Sequence, residues 1–311
     1  MNIEIKKINY KHSLIFFLFC NILSLLFLKI DNSIITPLIC LLLILVIGIS
    51  HGSLDHIKGK KLLKFYNLSN MFLFYFSYLL LSILITFFWI LFPSVTLLFF
   101  LIVASFHFGK EDTQFLINEN SFFYNTLFFL KGSLVILVPL FFHFDETINI
   151  FKLLLINNEN FYLSLGIIEN YKLLNIGIIL STLANLFLLI KKFEYKKFTI
   201  FIDYFSIIII NFYFSPLIAF TIYFCFLHSI RHSISLMYEL DHTSIKNGLL
   251  IFIKRALPLT ILTATFCFIA LYFLNKNYGF DSSILKLIFI GLASLTFPHI
   301  LLEYLIEKNE K

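Results

Sequence analysis

GISHGSLDHIKGKK, Gly48 to Lys61, closes an apolar run that begins near Ile34. A run of about 17–25 apolar residues is long enough to cross a hydrocarbon core of about 30 Å. This one ends in His51, Asp55 and His56, followed at once by Lys58, Lys60 and Lys61. Lysines directly after an apolar segment mark a cytoplasmic membrane boundary. The histidines and the aspartate therefore sit near the end of a membrane-spanning helix, where ionisable groups are costly and need a reason.

The rest of the chain repeats the pattern. Of its 311 residues, 59% are hydrophobic, 14% are charged and 42 are Phe. Apolar runs predict ten spans, at about 13–30, 34–54, 70–91, 94–109, 121–142, 173–190, 198–214, 216–237, 256–274 and 284–305. Backbone groups in lipid must be satisfied internally, so the spans are helices. The alternation a membrane barrel requires is missing. The expected fold is an all-α, polytopic transmembrane bundle forming one integral-membrane domain over 1–311. No small-residue cleavage site follows the first apolar run, which reads as a retained span. The connection at 143–172 reads as an external loop with one short surface helix.

The net charge of +6 comes from short clusters between spans, not from a basic arm, which argues against a nucleic-acid partner. Counted by side, 17 Lys and Arg residues fall on the N-terminal face of the ten-span arrangement and five on the other. This places both termini in the cytoplasm of a multi-pass protein of the cell's inner (plasma) membrane. Cys20, Cys40, Cys225 and Cys267 all lie within apolar runs and read as packing residues.

Of nine histidines, His12, His143 and His242 fall at span edges or in polar stretches. The others form four groups: SHGSLDH (His51, His56), ASFHFGKED (His107), FLHSIRHS (His228, His232) and FPHILLEY (His299). These lie on the second, fourth, eighth and tenth spans, all of which run towards the cytoplasm. Counted back from Lys58, Lys110, Glu239 and Lys308, all four groups lie within roughly 5–15 Å of one interface. His228 and His232 are four residues apart, a spacing that lets two imidazoles on one helix face reach one ion. Asp55 has the same offset from His51 and can orient it. His56 points away from His51. Gly109 marks a possible helix end after His107, with Asp112 behind it, and Glu303 follows His299 by four residues. Arg231 reads as snorkelling to the interface or pairing with an acid.

Imidazole-rich sites suit Fe, Cu, Zn or Ni. Carboxylates are too few to favour a carboxylate-bridged di-iron centre. With apolar surroundings and no nucleotide-binding glycine motif, the residues suggest oxygen chemistry on a lipid-soluble molecule.

HGSLDH, SFHFGKED, HSIRH and PHILLE, in this order, resemble the Brp/Blh family of membrane β-carotene 15,15'-dioxygenases from about 34 to 303. The resemblance implies an Fe(2+) enzyme that cleaves the central double bond of β-carotene with O2 to give two molecules of retinal, handed on to an opsin. It implies His51, His107, His228 and His232 as the metal ligands. Asp55, His56, Asp112, His299 and Glu303 are then candidates for groups behind the ligands or in the pocket. Phe106, Phe108, Tyr223 and Phe224 are candidate liners of a polyene tunnel. Ser50 stands where family members often have proline. Two other readings stay open: a two-metal lipid desaturase or hydroxylase, and a transporter or proton relay lined by His, Asp55 and Arg231. A relay would stagger its groups across the bilayer, whereas these share one level.

Overall fold

Capping residues and prolines punctuate the chain. The computed structural model describes residues 3–27, 36–50, 52–119 and 121–310, and no strand occurs among them. The first helix, α1, covers Ile3–Phe27; α2 is Pro37–Leu43, continued by a wide π turn over Ile44–Gly48. A 3-10 turn at Gly52–Leu54 leads into α3 (Asp55–Phe65). Asn70 caps α4 (Met71–Leu91) by accepting from the Phe72 amide, and Pro93 opens α5 (Pro93–Glu111). Ser121 caps α6 (Phe122–Phe142). Then come α7 (Phe144–Leu153), α8 (Glu159–Asn170), α9 (Leu173–Ile190) and α10 (Phe198–Tyr213). Pro216 opens α11 (Pro216–Ile222), which passes through a second π turn, Tyr223–Ser229, into α12 (Ile230–Leu240). Two long helices, α13 (Ile245–Tyr278) and α14 (Phe280–Asn309), complete the chain.

Among the described residues, nine helical segments are long and apolar enough to cross a membrane. The remaining expected span, 198–214, is present as α10, whose 16 residues extend only about 24 Å. The protein is a polytopic helical membrane protein.

The 143–172 connection differs from expectation in holding two helices, α7 and α8, and in dipping into the protein. Thr147, Ile148 and Phe151 of α7 are buried, as are Leu154 and Ile156 beyond it. The indole N–H of buried Trp89 donates to the Leu154 carbonyl at 3.0 Å. An indole in an apolar core needs such a partner, and the loop supplies it.

Two contacts fix the site's scaffold. Gly109 on α5 and Gly132 on α6 sit where those helices cross. A Cβ at either would collide with a carbonyl of the other helix, Phe128 or Ser105. Gly109 is therefore not a helix end, because α5 runs on to Glu111. The basic connections are tied together by ion pairs: Lys6–Glu194 (3.2 Å), Lys58–Glu303 (2.6 Å), Lys110–Glu307 (2.5 Å) and Lys61–Glu310. Cys20, Cys40 and Cys225 are buried in the core, and all four cysteines are free thiols.

Candidate metal centre

The two π turns face each other. The Ser229 hydroxyl donates to the Gly48 carbonyl at 3.3 Å, and a Cβ at residue 48 would lie 2.6 Å from the Phe224 ring. Only glycine lets the turns approach this closely. Wide turns of this kind redirect the side chains that follow them. The second turn delivers His228, α12 delivers His232, α5 delivers His107 and α14 delivers His299.

These four imidazoles are buried and contiguous. Ring centroids are 5.2 Å apart for His107–His228, 5.6 Å for His107–His299 and 5.6 Å for His232–His299. Three of the rings have a carboxylate behind Nδ1. His228 Nδ1 lies 3.2 Å from Asp112, His232 Nδ1 lies 2.9 Å from Glu111, and His299 Nδ1 lies 2.9 Å from both oxygens of Asp55. A carboxylate at Nδ1 fixes the tautomer, holds the ring plane and makes Nε2 the more basic donor. The carboxylates are held in turn: the Tyr223 hydroxyl donates to Asp112 at 2.7 Å and the Tyr78 hydroxyl to Asp55 at 2.8 Å. Glu303 Oε1 lies 3.6 Å from His232 Nε2 and 3.7 Å from His299 Nε2.

His107, His228, His232, His299, Asp112, Asp55 and Glu303 are thus brought together, while His51 lies outside the described residues. His56 stays outside the cluster, its Nδ1 3.0 Å from the Ser53 carbonyl, and lines the cavity beside it. Asp55 backs His299. Tyr223 holds Asp112, and Phe106 packs against a separate apolar cluster that includes Leu127 and Phe128. Arg231 pairs with an acid, buried Asp203, at 2.7 and 3.1 Å. His12 and His143 bond the carbonyls of Phe226 and Asn211, each at 2.8 Å, and are helix-packing groups.

Glu111 and Tyr78 are the site residues that sequence reasoning missed. Glu111 lies four residues after His107, the same i, i+4 signal that links His228 and His232. Tyr78 lies in an aromatic-rich span with no local mark.

A cavity of about 510 Å³ adjoins the cluster, within the range of about 300–1,000 Å³ usual for small-molecule sites. His107, His228 and His299 form part of its wall beside Phe108, Phe224 and Tyr78. His232 is not on that wall. The cavity follows α14 from His299 through Leu295 to Leu292, about 10 Å along the helix axis. Leu79 of α4 and Phe266 of α13 also line it and are 60% and 63% exposed, so it reaches the apolar outer surface.

Among the described residues, two groups could hold a metal ion: His232, His299 and Glu303, and His107, Glu111 and Glu303. In each group the ligand atoms lie within 4.8 Å of one another. A family model described as beta-carotene 15,15'-dioxygenase matches residues 42–307. This chain belongs to the β-carotene 15,15'-dioxygenase family. The matched span takes in all four histidines of the cluster, and it agrees with the stretch over which the four sequence motifs carry the resemblance. A beta-carotene 15,15'-dioxygenase from uncultured marine bacterium 66A03 is 29% identical over 269 residues, covering 84% of this chain and 90% of that one. No solved structure matches. The protein is an enzyme of this carotenoid-cleaving family.

Proposed function

We propose that this enzyme splits the central 15,15' double bond of β-carotene with O2, giving two molecules of all-trans-retinal, at an Fe(2+) held by His107, His228 and His232 together with His51. One observation carries the reading: a carboxylate-backed histidine cluster forms part of the wall of an otherwise apolar cavity that opens to the hydrocarbon side. Nitrogen ligands of intermediate softness suit iron, and the carboxylates behind them match the usual second layer of histidine metal sites. When bound, the iron supplies the activation of O2 that a polyene and ground-state oxygen lack.

The chain's own residues do the rest. Asp112 and Glu111 accept from the Nδ1–H groups of His228 and His232 and keep the two rings from rotating. Phe108, Phe224, Leu292 and Leu295 exclude water, so a bond deep in a rigid polyene meets a dry site. The gap beside Leu79 and Phe266 lets the substrate slide in from the bilayer without crossing water. Each half of the cleaved chain takes one oxygen atom, so one O2 balances two aldehydes. We further propose that residues 1–311 act as one membrane unit in the cell's inner membrane, with both termini cytoplasmic, as the lysine clusters tied at one end support. The retinal would pass through lipid to an opsin.

Expression in a β-carotene-producing bacterium tests this. Loss of orange colour with retinal in extracts is the expected result; intact β-carotene in cells that accumulate the protein would remove the assignment. A second reading is favoured by one observation: the two metal-capable groups share Glu303, as a bridging carboxylate would. Metal analysis separates the two, with one iron per chain for the first reading and two for the second.

A further inference from the structure

We infer that His299 is itself a ligand of the metal, supplied by α14 on the substrate side of the cluster. The inference rests on the metal-centre reading above and extends its ligand set.

Three observations carry it. First, His299 is built like its neighbours. Asp55 stands behind its Nδ1 at 2.9 Å as Asp112 and Glu111 stand behind His228 and His232, and the Tyr78 hydroxyl holds Asp55 at 2.8 Å. Second, its ring bridges the cluster, 5.6 Å from the His107 ring and 5.6 Å from the His232 ring. Third, Nε2 of His299 and Nε2 of His232 approach the same Glu303 oxygen at 3.7 and 3.6 Å. Metal–nitrogen bonds of about 2.0–2.1 Å place neighbouring ligand atoms about 3 Å apart and opposite ones about 4 Å apart. The observed separations lie between these. A histidine that only joined two helices would need one polar partner, not a carboxylate–tyrosine pair behind it and a donor set in front.

The sequence allows this placement through Pro298. With no N–H, it cannot continue the α14 backbone ladder one residue before His299. The neighbouring Leu295 carbonyl lies 3.4 Å from the Tyr78 hydroxyl. The same tyrosine therefore anchors Asp55 and meets α14 beside the irregularity.

The experiment uses the full-length protein in detergent: wild type, His299→Gly, His299→Asn and, as a control on the cavity wall, His56→Gln. Fe(II) affinity is measured anaerobically, and Co(II) is added separately for its ligand-field spectrum. His299→Gly is expected to lose about 10–100-fold in Fe(II) affinity, the size of effect seen when metal-site support is removed. It should regain affinity when free imidazole is added, and its Co(II) spectrum should differ from wild type. His299→Asn keeps a side-chain donor for Asp55, so it tests ligation if the glycine variant does not fold. It should show the same loss. His56→Gln should bind as wild type does. Wild-type affinity and spectrum in both His299 variants would overturn this inference alone; a wild type that takes up no metal would overturn the metal-centre reading with it.

Discussion

Two polar clusters share α12 and the turn before it, and they are put together differently. On one side, Arg231 meets both oxygens of Asp203, at 2.7 and 3.1 Å, with the Ser13 hydroxyl at 2.6 Å and the Asp112 carbonyl at 3.2 Å. Charge meets opposite charge in a closed, two-pronged arrangement that locks α1, α10 and α12 together. On the other side, His228 and His232 each turn Nδ1 to a carboxylate, their rings lie within 5.6 Å of the His107 and His299 rings respectively, and Nε2 of His232 lies 3.6 Å from Glu303. Imidazoles gathered in this way gain little from one another and much from an ion between them. Asp112 touches both clusters, its side chain reaching His228 and its backbone reaching Arg231. The lesson is that burial of charge alone does not mark a site; what marks it is donors converging on donors.

The contrast can be broken at its strongest point first. His228→Ala should abolish retinal formation and strip bound iron while the protein still purifies as a folded species; full turnover in that variant would mean the cluster is not the reaction centre. Next, Asp203→Ala leaves a guanidinium buried without its carboxylate, at a cost of about 3–5 kcal/mol. That loss should appear in detergent unfolding, and an Arg231→Met, Asp203→Leu double variant should recover most of it. A double variant as weak as the single one would show that the pair does more than hold helices. Third, Glu111→Gln should weaken metal affinity by about 10–100-fold with stability nearly unchanged, measured by metal titration. Last, Lys61→Met removes an exposed pair with Glu310 and should change stability by under about 1 kcal/mol; a larger loss would mean the ion-pair row across the helix ends acts as a unit.

The helical membrane fold was legible because lipid imposes long apolar runs, and lysine counts gave their order. Those counts also put His107, His228, His232 and His299 at one depth, and the structure brings the four rings together. What could not be read was rotation about the helix axis. Asp55 backs His299, which lies 244 residues further along the chain, a partnership that no spacing rule reaches. Tyr223, a candidate tunnel liner by its place in the sequence, holds Asp112 and is not on the cavity wall. Charged residues at a span end usually face water, but here the close α5–α6 crossing at Gly109 accompanies a Glu111 turned inwards to His232. Spacing rules see one helix at a time, so a partner from another span stays hidden from them.

The paired wide turns at Ile44–Gly48 and Tyr223–Ser229 have a genetic consequence. Each carries an extra residue in its loop of backbone, and one residue of α-helix corresponds to about 100° of rotation. Losing a single codon from the second turn would swing HSIRH by roughly a quarter of a circle, carrying His228 and His232 off the donor cluster and Arg231 off Asp203 in one event. Conservative substitutions along this stretch are therefore far better tolerated than any change in its length.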